Sequence, residues 1–472
     1  MADEFGEQWT EADPNGLRGK RVLVMGLGLL GGGVASARYA VAQGAAEVTV
    51  TDLRSAEMLA PSVAKLAGLP IRYVLGRHDE DDFRSADVIV RTPNVRRNSP
   101  YLAVARAAGK RVEMEIAWFF RACRGKIAGV TGTRGKSTTT LLLHHLLSEA
   151  GWEPLLGGNL GNIETLSLLP EITPDRWVVL ELGNWMLEGL HTVQRSPQLA
   201  IFTNLLPDHL DAYDSMEDYG QAKTSIFRYQ RPGDRALFNA ANDYTRRYAA
   251  EPQSSAVWLY DPDRGLSYPR DNPDSARPFR YADAIRLRGA HNVATVQAAT
   301  LAAELLGLDE ATIRAGVASF SGVPHRLEVV RELDGVTWVN DSASTAPVAG
   351  IAALASFSEP IILIAGGNTK RIDHRDYAEA AATRAKRILL LKGNATDAFA
   401  ADIRGAAARH GLPDPIEAIY DDFDAAIQRA SALAAPGDVV LLSPGFTSFG
   451  MFLHEFDRGD QFRALVMALP EG

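Results

Sequence analysis

Residues 126–140 read K-I-A-G-V-T-G-T-R-G-K-S-T-T-T, and this stretch decides how the chain is read. A short apolar run, Ile127 to Val130, enters a glycine-rich turn, and a helical pattern follows from Thr138 to Leu147. That is the strand–loop–helix layout of a nucleoside-triphosphate cradle. Backbone N–H groups wrap phosphate oxygens, Lys136 reaches the β- and γ-phosphates, and the Ser137 hydroxyl can hold Mg²⁺. The spacing departs from the common G-x-x-x-x-G-K-[ST], whose first glycine would fall on Val130; here Gly132 and Gly135 make the turn. The plainer alternative is an ordinary glycine corner between strand and helix. The Gly-Lys-Ser-Thr order in this setting favours an ATP site over it.

The stretch lies in a chain of 472 residues, 46% apolar and 23% charged, which matches a soluble globular protein of about three domains at ~150 residues each. No apolar run reaches the ~18 residues of a membrane span, and the acidic start M-A-D-E-F-G-E-Q-W-T has no signal-peptide pattern. The single cysteine, Cys123, rules out an intramolecular disulfide and a cysteine-rich metal site, so a reducing cytoplasmic setting is expected. A net charge of −9 argues against general nucleic-acid binding but leaves room for a local phosphate pocket.

Working outward from the phosphate loop, three α/β segments follow one another. The first opens with a strand at Arg21 to Met25, then G-L-G-L-L-G (Gly26 to Gly31), then a helix to Gln43; further strands are expected at Glu47 to Thr51 and Asp87 to Arg91. The second holds the phosphate loop, strands at Trp177 to Leu182 and Leu199 to Asn204, and a long helix-rich tail ending near Phe320. The third holds strands near Val336 to Asn340, Pro360 to Ala365, Arg387 to Leu391 and Asp438 to Leu442. Helices are expected between them at Tyr377 to Ala385 and Phe423 to Ala434. Strands alternating with helices imply parallel sheets covered on both faces. The expected organisation is a Rossmann-like N-terminal domain (1–121), a central phosphate-loop domain with a parallel sheet (122–325) and a Rossmann-like C-terminal domain (326–472).

G-L-G-L-L-G after a strand, with Asp52 about twenty residues on, matches a dinucleotide fingerprint. Alone it would suggest an NAD-dependent oxidoreductase, another nucleotide, or a bare βα corner. With an ATP-type loop in the same chain, a second nucleotide other than NAD is the better account. Beyond the phosphate loop, Glu181 ends the strand V-V-L-E-L, and His209 follows another strand in N-L-L-P-D-H-L-D. Active groups gather at the carboxyl ends of parallel strands, so both could meet one Mg²⁺ whose shell is completed by phosphate and water. Either alone would be an ordinary solvated or capping residue. Lys223, on the helical stretch Y-G-Q-A-K, reads from sequence as a surface charge. Asn159 in G-G-N-L-G is either a phosphate-facing turn residue or part of a plain loop.

The order of these motifs is more specific than any one of them. T-G-T-R-G-K-S-T-T, G-N-L-G, L-E-L, N-L-L-P-D-H-L-D, Y-G-Q-A-K, G-A-H-N-V, P-H-R-L-E, N-D-S, G-G-N-T-K and F-D-R-G-D-Q-F run in sequence over essentially the whole chain. In that order the chain resembles the Mur ligase family of ATP-dependent amino-acid ligases, which build the cytoplasmic peptidoglycan precursor. The unusual phosphate loop is the family's own version.

The resemblance implies an enzyme that joins glutamate to UDP-N-acetylmuramoyl-L-alanine through an acyl phosphate. Its first domain would hold the uridine nucleotide, with Gly28, Leu29, Leu30 and Gly31 near the pyrophosphate, Asp52 and Arg54 near the uridine, and Asn159 on the same substrate. ATP would lie on Gly132, Thr133, Gly135, Lys136, Ser137 and Thr138, with Asn292 at the adenine, Asp341 at the ribose and Arg326 at the γ-phosphate. Ser137, Glu181, His209 and Lys223 would face Mg²⁺, the lysine as a CO₂ adduct, because a carbamate supplies an oxygen ligand where an ammonium would repel the cation. Thr345, Lys370, Ser448 and Phe456 fall where the family grips glutamate. Lys136, Lys223, His209 and Arg326 are the residues expected to carry catalysis, and a monomer with no nucleic-acid or membrane partner is expected.

Four departures gather around the acceptor and glutamate subsites. Gly183-Asn184-Trp185-Met186 replaces the family's Ser-Ser-Phe-Gln, Ala343 replaces the lysine after N-D-S, P-G-F-T-S-F-G replaces a run of small residues, and Leu53 follows Asp52 where a hydroxyl is common. They suggest altered handling of substrate with catalysis retained, including the variant that attaches L-glutamate in place of D-glutamate. D-glutamate is the preferred reading. The remaining rivals are another ligase of the superfamily, such as folylpolyglutamate synthase, an NAD oxidoreductase, a noncatalytic nucleotide-binding regulator and a structural protein. The base that deprotonates the incoming amine is not identified.

Overall fold

The computed structural model describes residues 12–93, 95–160, 163–208, 213–287, 291–369 and 372–470. They build three sheets. The first is wholly parallel, with order β3-β2-β1-β4-β5. Its strands are β1 (Arg21–Met25), β2 (Glu47–Asp52), β3 (Ile71–Leu75), β4 (Val88–Arg91) and β5 (Arg111–Met114).

The second sheet has strands β6 (Lys126–Thr131), β7 (Leu155–Gly158), β8 (Trp177–Glu181), β9 (Leu199–Phe202), β10 (Arg235–Asn239), β11 (Ala256–Asp261), β12 (Leu266–Pro269) and β13 (Arg277–Pro278). Its order is β13-β12-β11-β10-β9-β6-β8-β7. Only β12 and β13 run antiparallel to their neighbours. The third sheet is formed by β14 (Glu328–Leu333), β15 (Val336–Asn340), β16 (Ile361–Gly366), β17 (Ala385–Leu391), β18 (Ile416–Tyr420) and β19 (Val439–Leu442). Its order is β14-β15-β19-β16-β17-β18, with β14 the antiparallel edge.

The pattern follows from composition. A parallel strand covered on both faces must be apolar throughout, and Ile361–Gly366 and Val439–Leu442 are buried at every residue. The strands expected from sequence form with boundaries shifted by a residue or two. The stretch before Phe320 differs from expectation: it carries β10 to β13 among its helices, ahead of the last two, His291–Leu306 and Glu310–Ser319. Short buried runs such as R-A-L-F-N fit either a strand or a core helix by periodicity alone, and pairing with β9 decides the matter.

The chain divides into two compact units. One carries the first two sheets and runs to Phe320; the other begins at Ser321 and carries the third. The first two sheets share a continuous apolar core from Leu17 to Leu259, and the third sheet has its own core on each face. Cys123 caps the helix Glu115–Ala122, half-buried, with its thiol pushed up to about 11 by burial. No helix among the described residues is long and apolar enough to cross a membrane.

Candidate functional site

In each of the first two sheets the order reverses at the strand that opens the segment. β1 lies between β2 and β4, and β6 between β9 and β8, so the loop after each enters a crevice at the carboxyl ends of the strands. The loop after β6 is the phosphate loop. Gly132 has φ 148 and Gly135 φ 81, backbone that side chains with a Cβ rarely adopt. A Cβ at Gly132 would also collide with the Thr203 hydroxyl. That hydroxyl donates to the Arg134 carbonyl (2.7 Å), and the Asn204 side chain accepts from the Arg134 N–H (3.0 Å), so the end of β9 fixes the loop's shape.

Gly135 caps the helix Lys136–Glu149 without any side-chain cap bond. The first-turn amides there form the anion-binding end of the helix. Ser137 and the buried Thr138 lie in that turn. Lys136 Nζ donates to the Thr133 carbonyl at 3.0 Å, held across the loop. The Thr133 hydroxyl meets the Leu206 backbone and Tyr219.

Glu181 ends β8 beside the loop and is 2% exposed. Its Oε1 accepts from Asn159 Nδ2 at 2.9 Å, while Oε2 is buried with no hydrogen-bond partner. An ionised oxygen left unpaired at that depth costs several kcal/mol unless a cation meets it. Lys223 ends the helix Met216–Lys223 at 1% exposure, which overturns its reading as a surface charge. Its Nζ donates to the Gly132 carbonyl at 3.3 Å and sits 4.8 Å from the centre of the Tyr219 ring. Burial, and then the Lys136 charge, hold its amine well below the ordinary lysine value, against the weaker pull of Asp208 and Glu181. Ser137, Glu181 and Lys223 thus belong to one neighbourhood. His209 and Lys370 lie outside the described residues, as does Gly161 of the G-N-L-G run. Among the described residues no three His, Cys, Asp or Glu side chains cluster for a metal. That suits Mg²⁺, which takes few protein ligands and completes its shell from phosphate and water. Asn292 lies in the first turn of the helix His291–Leu306.

The first glycine turn is held from below. Asp52 Oδ2 accepts from the Gly28 N–H (3.0 Å) and Oδ1 from the Arg54 N–H (2.9 Å), so this carboxylate shapes the turn directly. Gly31, at φ 95, begins the helix Gly32–Ala42, and a Cβ there would press on Glu164. Leu30 is exposed and Leu29 half-buried on the rim. Under the turn lies a group that sequence reasoning missed. Glu115 packs against Gly32, with Ser36 Oγ 3.4 Å away, and burial pushes its carboxyl up to about 7. Thr203, Asn204, Tyr219 and Asp208 were missed likewise; Asn204 and Asp208 lie inside the quoted N-L-L-P-D-H run and Tyr219 inside Y-G-Q-A-K, but nothing local signals Thr203.

In the second unit Asp341 follows β15 and Ser448 follows β19, on adjacent strands of the third sheet. Asp341 accepts from Ser443 Oγ (2.8 Å) and the Leu327 N–H (3.2 Å), and burial pushes it up to about 7. Arg326 is exposed beside it, acting on its charge. Ser448 is buried with its hydroxyl unpaired; Phe456 packs edge-on against His325 and His454. Thr345 is half-buried two residues after Ala343. Arg458, fully buried, ties Ser342 to the Phe446 carbonyl.

Comparison with known proteins gives three family matches along the chain. Residues 20–113 match the MurD-like N-terminal domain of Mur ligases, 130–303 the Mur ligase middle domain, and 325–446 the Mur ligase glutamate ligase domain. A protein of Roseiflexus sp. (strain RS-1) named UDP-N-acetylmuramoylalanine--D-glutamate ligase is 47% identical over 95% of this chain and 99% of its own length. One of the same name from Symbiobacterium thermophilum is 38% identical over 95% and 98%. The fold is also that of the crystal structure of UDP-N-acetylmuramate-alanine ligase MurC from Thermotoga maritima, at TM-score 0.60 and 20% identity, covering 95% of this chain and 99% of that one.

Proposed function

The chain belongs to the Mur ligase family, and from that premise we propose that it joins D-glutamate to UDP-N-acetylmuramoyl-L-alanine with conversion of ATP to ADP and phosphate. The observation that carries this reading is the meeting of Lys136, Glu181 and Lys223 around a phosphate loop whose helix end has no side-chain cap. The curated relatives bear the D-glutamate name, which favours that enantiomer over the L-glutamate variant.

A carboxylate is a poor acylating agent at neutral pH, so the alanyl carboxylate first attacks the γ-phosphorus and ADP leaves. The acyl phosphate then meets the glutamate amine: the C–N bond forms, phosphate departs and the amine proton goes to solvent or base. Phosphoryl transfer of this kind needs positioning and charge neutralisation more than covalent help. Lys136 and the first-turn amides of its helix hold the β- and γ-phosphates; by the family resemblance Arg326 serves the γ-phosphate, Asp341 the ribose and Asn292 the adenine. Ser137, Glu181, His209 and Lys223 would hold Mg²⁺, which would supply charge neutralisation on the phosphates. The unpaired Glu181 oxygen fits that role. As a free amine Lys223 would not, but its depressed basicity leaves the neutral form that reacts with CO₂, and the resulting carbamate does. The glycine turn Gly28 to Gly31, with Asp52, Arg54 and Asn159, receives the uridine substrate; Thr345, Lys370, Ser448 and Phe456 receive glutamate. The enzyme acts as a monomer.

The test is direct. Purified protein with ATP, Mg²⁺ and UDP-N-acetylmuramoyl-L-alanine is given D- or L-glutamate separately and the products are weighed. A one-glutamate adduct with the D form is expected; phosphate release with neither enantiomer sinks the reading. In ¹³C-bicarbonate a carbamate carbon signal is expected from the wild type and not from Lys223→Ala.

A further inference from the structure

The replacement of Ser-Ser-Phe-Gln by Gly183-Asn184-Trp185-Met186 is unexplained by the reaction itself. In the structure Asn184 and Trp185 both hold one side chain, Tyr213. Asn184 Nδ2 donates to the Tyr213 hydroxyl (3.0 Å), and the Trp185 ring stacks on it with centroids 5.4 Å apart and planes at 14°. The hydroxyl in turn donates to Glu188 Oε1 at 2.8 Å.

From Glu188 the contacts run in two directions. Toward the first sheet, Glu188 Oε2 accepts from Arg91, the last residue of β4, at 3.3 Å. Arg91 is 5% exposed, and its other terminal nitrogen donates to the Val95 carbonyl at 2.7 Å. The Val95 N–H donates to the Thr92 carbonyl and the Thr92 N–H to that of Met25, so closely beside Gly26, the first residue of the glycine turn, that a Cβ there would meet both side chains. Toward the phosphate loop, the Tyr213 ring lies 5.3 Å from Tyr219, the ring beneath Lys223 Nζ. A parallel strand of contacts uses Arg97. Its guanidinium lies 5.0 Å from the Tyr213 ring and pairs with Glu188 (3.8 Å) and Asp218 (3.1 Å), and Asp218 is on the helix that ends in Lys223. A buried arginine fixed at once to a loop carbonyl and to a carboxylate cannot shift without leaving a charge unpaired, so the two ends move together or not at all.

We propose that Arg91, Glu188 and Tyr213 form a positioning relay that couples occupancy of the uridine-substrate turn to the placement of Lys223. The proposal rests on the function inferred above. None of the three touches the reacting atoms; they act through the glycine turn at one end and Tyr219 and Lys223 at the other.

The experiment is a linkage measurement on the full chain. Binding of UDP-N-acetylmuramoyl-L-alanine is titrated calorimetrically with and without a non-hydrolysable ATP analogue and Mg²⁺, in the wild type, Tyr213→Phe and Glu188→Gln. In the wild type each ligand should change the other's Kd by about fivefold or more. In either variant that factor should fall below about twofold, with the Kd for the ATP analogue alone staying within about twofold. Tyr213→Phe keeps the ring contacts with Trp185, Tyr219 and Arg97 and removes only the hydroxyl, so it stays informative where Glu188→Gln disturbs folding. Coupling retained in Tyr213→Phe, or absent from the wild type, overturns the relay, as does a large change in that variant's affinity for the ATP analogue alone. A wild type that makes no glutamate adduct overturns the function itself, whereas an active wild type whose Tyr213→Phe variant stays fully coupled overturns the relay alone.

Discussion

Lys136 and Lys223 lie close enough for the charge of Lys136 to help depress the basicity of Lys223, and only Lys136 is of use to a phosphate as it stands. Lys136→Ala should leave the fold intact and cut turnover by at least ~100-fold, read from steady-state kinetics beside an unchanged circular dichroism spectrum. Glu115 offers a test away from the phosphate loop. Its carboxyl, raised to about 7 by burial, stays protonated in the folded chain at pH values where the unfolded chain has ionised. Wild-type stability should therefore fall as pH rises from about 4.5 to 7 and level off above, by at most about 3 kcal/mol. Glu115→Gln should remove that slope, as measured by urea unfolding at pH 5 and pH 8; an unchanged slope would assign it elsewhere. Lys136 was legible in the sequence because its partners are its immediate neighbours. The burial of Lys223 was not: Tyr219 is its neighbour on the same helix, but Gly132 and the end of β8 are brought there only by pairing across the sheet.

At the level of elements, the decisive pieces are strands that stop where a loop must turn hard. Gly158 closes β7 at φ 88, and a Cβ there would run into the backbone of Glu181. Gly158→Ala should cost roughly 2 kcal/mol or more in urea unfolding and should depress activity further by displacing Glu181. A variant of wild-type stability and turnover would show that the strand end tolerates movement. The glycines at these turns were readable because only glycine takes such backbone. The strands β10 to β13 were not, since a short apolar run carries no mark of its neighbour. The acceptor-side departures were visible as departures, but their partner Tyr213 lies almost thirty residues downstream, beyond the reach of any local pattern.

Across the whole molecule, two compact units imply two cooperative transitions. Calorimetric scans should resolve them, and UDP-N-acetylmuramoyl-L-alanine at 100 times its Kd should stabilise the larger unit by about 2.7 kcal/mol while leaving the smaller transition in place. A shift of the smaller transition alone would place the uridine site in the wrong unit. The α/β class and the order of motifs were legible from sequence, because parallel sheets demand apolar strands and phosphate sites demand glycine. The gathering of the first two sheets around one apolar core was not, since no composition break marks it. One modest feature has reach beyond the site. The solitary thiol of Cys123 is half-shielded and ionises only near pH 11, so peroxide or oxidised glutathione finds almost no nucleophile to attack. Oxidants that silence thiol-dependent enzymes should leave this catalyst running.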